Sequence, residues 1–223
     1  MHIPDGFIDI KTSAAFAAAS ALAVAGAVKG ARRQLSEQSA PLAGLTAVFI
    51  FAVQMLNFPV AAGTSGHLIG AALAMVLVGP YAATLALVVV LIIQAFLFAD
   101  GGLTALGLSI FNMAVISVWV SFAVFMLLKK IFPKTKSWLV IATFVSALIS
   151  VPAAAIGFVI QYAIGANATF SVGTVLNAMV GTHILIGIGE AIITALTVSA
   201  VLASRSDLVF GWDNKNIKLE IRS

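Results

Sequence analysis

Two long stretches without any Asp, Glu, Lys or Arg, residues 38–99 and 137–189, constrain the fold of this chain more than any other feature. A helix needs about 20 apolar residues to cross the hydrocarbon layer of a membrane, so each stretch has room for more than one crossing. Of all 223 residues, 61% are hydrophobic and 9% are charged, against about 25% charged in an average soluble domain. A soluble protein of this composition would expose large apolar patches and aggregate. The sequence therefore predicts an all-α integral membrane protein and excludes a soluble enzyme.

Turn-forming residues divide the apolar stretches into helices. Asn57-Phe58-Pro59, Gly63-Thr64-Ser65-Gly66 and Gly79-Pro80 interrupt the first stretch, and the polar residues 165–171 interrupt the second. We expect a single transmembrane domain over residues 1–223, built as a seven-transmembrane-helix bundle. The predicted helices lie near residues 12–29, 40–56, 66–79, 81–99, 103–129, 137–163 and 174–204. The segment 66–79 is short for a full crossing, at roughly 20 Å of helix.

The positions of the basic residues indicate the orientation of the bundle. Seven crossings place the termini on opposite sides, so the loops at 29–39, 79–80 and 129–136 share one side with a tail at 205–223. Of the twelve basic residues, all except Lys11 lie on that side. Lysine and arginine are enriched on the cytoplasmic side, so the N-terminus is predicted outside and the tail in the cytoplasm of a cell-membrane protein. Topology thus explains the net charge of +4, and no nucleic-acid partner is predicted.

The three histidines, His2, His67 and His183, fall in the predicted outer half of the membrane or at its outer face. Imidazole is the commonest side-chain ligand of transition metals, and the chain has no cysteine that could supply a thiolate. A single polar side chain in a helix bundle usually bonds a neighbouring helix, so each histidine also has a structural interpretation. The clustering of His2 and His67 favours metal binding for these two.

Met1 and His2 together offer three nitrogen donors. The terminal amine, the amide nitrogen of His2 and its Nδ1 can form fused chelate rings nearly in one plane. A fourth nitrogen would complete a square-planar site, the geometry typical of Ni(II) or Cu(II) and not of Zn(II). His67 is the best candidate, because it is predicted to open a helix beside a small-residue turn. An ordinary frayed terminus is the alternative, and the residues alone leave both open.

Six short blocks, spread over nearly the whole chain, form a specific combination. They are Met1-His2-Ile3-Pro4-Asp5-Gly6-Phe7, residues 60–70 (VAAGTSGHLIG), Gly79-Pro80, residues 94–107 (QAFLFADGGLTALG), residues 111–113 (FNM) and residues 181–191 (GTHILIGIGEA). Together they resemble the nickel- and cobalt-specific substrate-capture (S) components of energy-coupling-factor (ECF) transporters, the NikM/CbiM family. Each block alone would be weak evidence.

The resemblance implies a seven-helix S component whose N-terminal segment, residues 1–11, plugs into an outward-facing pocket. It implies that the terminal amine, the amide of His2, the His2 side chain and His67 hold the ion. It also implies a coupling membrane subunit, two cytoplasmic ATPases and, in cobalt members, a small accessory membrane subunit. The phosphate-binding motif G-x-x-x-x-G-K-[ST] does not occur in the sequence, so we expect a non-enzymatic transport subunit. Nickel and cobalt both remain open, with nickel favoured by the planar donor set.

Four further residues are candidates for lining or supporting the pocket: Thr64, Ser65, His183 and Glu190. Glu190 follows His183 by seven residues, on the same helix face and near the predicted middle of the membrane. Burying an ionisable group there costs free energy unless the group is paired or hydrogen-bonded. The sequence therefore favours equally a functional role for Glu190 and a structural interhelical hydrogen bond. Asp100, followed by two glycines, is expected to be a turn or cap residue.

Two alternatives to a capture subunit follow from the same residues. Gly63-Thr64-Ser65-Gly66 matches the G-x-S-G of rhomboid-type intramembrane proteases, and His183 with Gly187 matches their H-x-x-x-G. A Ser65–His183 pair would be reasonable nucleophile chemistry, but this interpretation ignores His67 and the N-terminus. The other alternative is a metal channel or secondary transporter that works without ATPases.

Overall fold

A computed structural model of the chain describes residues 1–34, 40–60 and 64–212, apart from the side chains of Gln34, Phe58, Pro59 and Thr64. The described part contains seven helices and a short antiparallel hairpin. The helices are α1 (Ile10–Gln34), α2 (Ala40–Gln54), α3 (Ala71–Val78), α4 (Pro80–Leu97), α5 (Leu106–Ile131), α6 (Lys136–Gly165) and α7 (Val172–Ser204). The hairpin pairs β1 (Phe58–Val60) with β2 (Thr64–Gly66), and Ser206–Leu208 form a 3₁₀ turn after α7.

Local sequence signals set several helix boundaries. Pro80 occupies the first turn of α4, where its missing N–H costs no hydrogen bond. Thr135 and Ser171 cap α6 and α7, because their side-chain oxygens accept hydrogen bonds from the amides three residues later. Within α5, residues Phe111–Ile116 form a π-helical segment.

Five of the helices, α1, α4, α5, α6 and α7, are long and apolar enough to cross a membrane. The multi-pass, mostly helical membrane fold expected from the sequence is therefore confirmed. Helix α2 has only 15 residues and α3 only 8, which at 1.5 Å per residue makes α3 about 12 Å long. Seven full crossings, and the sides on which the termini lie, stay predictions.

The predicted helix at 66–79 is wrong at its beginning, because Gly66 belongs to β2 and α3 begins at Ala71. His67 consequently lies in the connection before α3 and does not open the helix. Gly70 precedes the helix with φ +77°, a left-handed conformation that glycine adopts without strain. All eight residues of α3 are buried, so this helix lies in the interior of the bundle.

Hydrogen bonds from distant parts of the chain hold both ends of α3. At its beginning, the Glu190 carboxylate accepts hydrogen bonds from the amides of Ile69 (2.6 Å) and Gly70 (3.0 Å). At its end, the amides of Phe210 and Gly211 donate to the carbonyl oxygens of Leu77 and Val76. The first part of the predicted tail is therefore packed against the bundle, whereas its residues 213–223 lie outside the described part.

The N-terminal segment, residues 1–9, is bonded to two loops of the bundle. The carbonyl of Ile3 accepts from the amide of Gly102 at 2.8 Å, and Asp5 Oδ1 accepts from the amide and hydroxyl of Thr104 at 2.8 and 2.6 Å. Further along, the Asn167 amide donates to the Phe7 carbonyl and the Asp9 amide to the Gly165 carbonyl. The ring of Phe7 packs among Phe158, Tyr162 and Phe170. These contacts turn the start of the chain inward, so that Met1 and Ile3 are fully buried.

Substituting Gly102→Ala is expected to release the N-terminal segment without unfolding the helices. A Cβ at this position would overlap the amide nitrogen and Oδ1 of Asp5, and relieving such an overlap typically costs about 1–3 kcal/mol. We expect roughly a 10- to 100-fold higher rate of acylation of the Met1 amine, measured by mass spectrometry, with unchanged circular dichroism.

The matched control is Gly44→Ala, whose added methyl group meets no atom within 4 Å. Equal acylation rates in the two variants would show that the contact between Gly102 and Asp5 does not hold the segment in place.

Candidate metal centre

The amino group of Met1 lies in the interior of the protein. Burial lowers its pKa from 8.0 to about 4, and the negative charge of Asp100 opposes this shift only in part. The amine is therefore uncharged at neutral pH and keeps the lone pair that a metal ion requires. Its location follows from the hydrogen bonds of Ile3, Asp5 and Phe7 described above, which direct Met1 and His2 into the bundle, where both are buried.

His67 lies against His2, with 4.8 Å between the ring centroids and 31° between the ring planes. Its Nδ1 is 2.7 Å from the carbonyl oxygen of Leu68. A carbonyl can only accept, so Nδ1 carries the proton and Nε2 keeps its lone pair. Nε2 is buried and has no hydrogen-bond partner among the described residues. Burial holds the pKa of His67 well below 6.5, and the terminal amine, His2 and His183 lower it further under acidic conditions in which they are protonated, so the ring is neutral at neutral pH.

The His2 ring lies between the interior and the loop that follows α4. Its Nε2 is 3.5 Å from Oδ2 of Asp100, and the Asn57 side-chain amide donates to both oxygens of that carboxylate at 3.3 Å. Burial, followed by the charge of the terminal amine, lowers the pKa of His2 to about 3. Gly101 allows this approach, because a Cβ there would be 3.0 Å from the Cβ of His2.

Ser65 contacts the main chain of the candidate site. The amide of His2 donates to Ser65 Oγ at 3.2 Å, which connects β2 to the second residue of the chain. The side chain of Thr64, another predicted pocket residue, lies outside the described part of the structure, as does Gly63 of the G-x-S-G motif.

His183 and Glu190 both lie on α7 and both are buried. His183 Nδ1 donates to the Met179 carbonyl at 2.7 Å, and its Nε2 has no hydrogen-bond partner among the described residues. No hydrogen bond therefore joins His183 to Ser65 in the described structure. Glu190 makes the hydrogen bonds to Ile69 and Gly70, two and three residues after His67. The Glu190 carboxylate thus holds the segment that carries His67. This is a hydrogen bond between distant parts of the bundle, the structural role that the sequence analysis named as one of two for Glu190.

Sequence reasoning did not assign Asp100 to the site. It predicted a turn residue, and only the fold shows that the carboxylate faces His2. The described residues also contain no group of three His, Asp or Glu side chains that could hold a metal. Two of the four candidate nitrogens, the terminal amine and the His2 amide, belong to the main chain, so the candidate site does not depend on a cluster of three such side chains.

Comparison with known proteins agrees with the sequence motifs. The family CbiM, described as the cobalt uptake substrate-specific transmembrane region, matches residues 2–208. The fused nickel transport protein NikMN of Rhodobacter capsulatus is 42% identical over 127 residues, which cover 57% of this chain and 37% of that protein. The cobalt transport protein CbiM 1 of Pelobacter propionicus is 31% identical over 206 residues, 91% of each chain.

A solved structure also shares the fold. The crystal structure of a transition metal transporter superposes with a TM-score of 0.85 at 28% identity, covering 100% of this chain and 99% of that one. A protein of Haloquadratum walsbyi that is provisionally named a metal transport protein is 37% identical over 225 residues, and the alignment covers 100% of this chain and 100% of that protein.

Docking of the N-terminal segment is expected to weaken as the pH falls from 8.0 towards 4. Burial lowers the pKa of the Met1 amine over this interval, so the docked state holds fewer protons than the free state. Docking is therefore favoured at high pH. The ratio of docked to free segment should fall by about tenfold per pH unit down to pH 6.5, and more steeply below it, because docking also lowers the pKa of His2 from 6.5 to about 3. Hydrogen-exchange mass spectrometry of residues 1–9, corrected for intrinsic exchange rates, measures this ratio. Equal protection at both ends of the interval would contradict burial of the amine.

Proposed function

Since the chain belongs to the CbiM family of cobalt uptake substrate-specific transmembrane regions, we propose that it captures Ni²⁺, with Co²⁺ as the second candidate, as the S component of an ECF-type uptake transporter. The convergence of the Met1 amine, the His2 amide and ring, and the lone pair of His67 in one buried region is the observation that carries this proposal. Relatives named as nickel and as cobalt transport proteins support both ions.

The donor set explains the preference for nickel. Met1 and His2 chelate the ion through the amine, the amide nitrogen and Nδ1, and His67 Nε2 supplies the fourth nitrogen. Four nitrogens in a square suit Ni(II), whereas Zn(II) prefers tetrahedral sites and Mg(II) prefers oxygen. The neutral state of His67 and of the amine supports this assignment, because a ligand must give up its proton before it binds.

Proton release follows from the same donor set. The amine is already neutral in the docked state, so the proton that leaves is that of the His2 amide, which passes to solvent when nitrogen bonds the metal. One proton released per ion makes the affinity fall by about tenfold for each unit of decreasing pH. Below pH 8.0, the ordinary pKa of the free amine, competing protonation of the undocked terminus makes this fall steeper.

Transport requires partners in this proposal. A coupling membrane subunit and two cytoplasmic ATPases supply the energy, and a cobalt-carrying version would add a small accessory membrane subunit. The chain lies in the cell membrane with Met1 outside, which the distribution of basic residues supports. Uptake in cells that lack any partner ATPase would favour the channel or secondary transporter instead.

The protease alternative has no support from the described geometry. It requires a hydrogen bond from Ser65 to His183, but Ser65 Oγ accepts from the His2 amide, and His183 bonds the Met179 carbonyl.

Blocking the terminal amine is expected to abolish nickel capture. Acetylation of Met1, or one added N-terminal residue, removes a donor and lengthens a segment whose first residue is fully buried. We expect at least about a 1,000-fold loss of affinity, since a chelating nitrogen is lost together with its ring. Isothermal titration calorimetry and the metal content of the purified protein measure the effect, after mass spectrometry has established that Met1 begins the chain. One residue added after Ser223 is the matched control, and undiminished affinity in the N-terminal variant contradicts the assignment.

Replacing Ser65→Ala is expected to tighten nickel binding slightly. The Ser65 hydroxyl accepts a hydrogen bond from the His2 amide, and this bond disappears when the amide loses its proton to bind the metal. Removing a stabilising contact that exists only without metal should raise the affinity by a few-fold, for a bond worth about 1 kcal/mol. Titration calorimetry measures the change, and a parallel proteolysis assay addresses the protease alternative. More than tenfold weaker binding would show that the hydroxyl supports the metal-bound state.

A further inference from the structure

Asp100 places a carboxylate next to the candidate metal centre without contributing to its four nitrogens. Its Oδ2 lies 3.5 Å from Nε2 of His2, on the side of the ring that faces away from the chelating Nδ1. The Asn57 amide holds both carboxylate oxygens, and the side chain of Asp100 is 20% exposed. The loop therefore presents an anchored acid to the edge of the His2 ring.

The net charge of the proposed complex requires a partner. The amine and two imidazoles are neutral donors, and the deprotonated amide carries one negative charge. A divalent ion bound by this set thus leaves one uncompensated positive charge in a region where Met1 and His67 are fully buried. An isolated charge in such surroundings is costly unless an opposite charge lies nearby.

The other described carboxylates near the site have different partners. Glu190 is bonded through both oxygens to the amides of Ile69 and Gly70. Asp5 Oδ1 is bonded to Thr104, and Asp9 to Lys11 and Thr12. Among the residues that the structure describes, Asp100 is the acid whose carboxylate approaches a ring nitrogen of a proposed ligand residue, at 3.5 Å from Nε2 of the neutral His2.

We propose that Asp100 is the counter-charge of the captured ion and a positioning residue for His2, an inference that rests on the capture function proposed above. Its negative charge neutralises the complex of divalent ion and deprotonated amide through the His2 ring. The same charge favours the His2 proton on Nε2, which leaves the Nδ1 lone pair free for the ion.

The arrangement also connects capture to docking and to ion charge. Residues 100–102 contact His2 through the Asp100 carboxylate and bond Ile3 through the amide of Gly102. The same loop therefore binds the N-terminal segment and neutralises the charge of the captured ion. A monovalent or trivalent ion in the same nitrogens would leave the complex charged. The site is therefore matched to divalent ions by charge as well as by geometry.

The test uses the full-length protein with its native start and Ni²⁺ as the titrant. Asp100→Asn keeps the shape of the side chain and removes its charge, so we expect affinity to fall by about 10- to 100-fold, the usual effect of removing an acid behind a metal-bound histidine. Asp100→Glu keeps the charge and should retain affinity within a few-fold of the native protein. Asp207→Asn, which removes an exposed acid paired with Arg205, is the control and should leave affinity unchanged.

Rescue by an added anion separates charge from structure. Asp100→Ala opens a partly exposed space next to Nε2 of His2, so sodium formate should restore much of the lost affinity, whereas sodium chloride of equal ionic strength should not. Asp100→Asn leaves no such space and should gain nothing from formate. The nickel absorption spectrum at saturation should be the same in all variants, because the four nitrogens do not change.

The outcomes are distinct. If Asp100→Asn binds nickel with native affinity, or if formate does not restore the nickel affinity of Asp100→Ala, the proposal that Asp100 is the counter-charge is wrong. If Asp100→Asn does not fold, the formate response of Asp100→Ala and the affinity of Asp100→Glu decide in the same way. A native protein that binds no nickel overturns the capture function itself, and thereby separates the two proposals.

Discussion

Insertion of the first two residues into the bundle is the constraint on which the rest of the candidate site depends. It brings an amine, an amide and an imidazole into a region with little water, where burial keeps the amine and both rings neutral. Desolvation costs this arrangement free energy, and the hydrogen bonds of Ile3, Asp5, Phe7 and Asp9 offset that cost. Main-chain and side-chain bonds outside the candidate donor set therefore hold most of the segment, and among the candidate donors the His2 amide bonds Ser65 Oγ.

The short helix α3 performs the corresponding task for His67. It is too short to cross the hydrocarbon layer, and its ends are bonded to Glu190 on one side and to the residues after α7 on the other. Because Glu190 bonds the two amides that follow Leu68, helix α7 sets the position of His67 relative to the N-terminal segment. The two halves of the site therefore reach each other through long-range contacts in a bundle whose outer surface is largely apolar.

The sequence predicted the type of protein and much of the site chemistry, but not their joint geometry. Apolar length located the five long helices to within a few residues, and the residue blocks identified the family that comparison confirmed. The beginning of α3 was predicted wrongly, because periodicity cannot distinguish an apolar extended connection from a first helical turn. Asp100 was read as a turn residue, since nothing local indicates which way a loop carboxylate points.

By itself, the sequence determined that the chain is a membrane protein and predicted nitrogen donors for the candidate site, because charge spacing and residue type are local properties. The tertiary structure alone decided which nitrogen of His67 is free, which amides Glu190 bonds and which acid faces His2. The last two features depend on contacts between residues 98 and 121 positions apart in the chain, His2 with Asp100 and Glu190 with Ile69. The free nitrogen of His67 depends on the orientation of its ring towards the neighbouring Leu68 carbonyl. Packing of the whole bundle creates them, and no local pattern encodes their geometry.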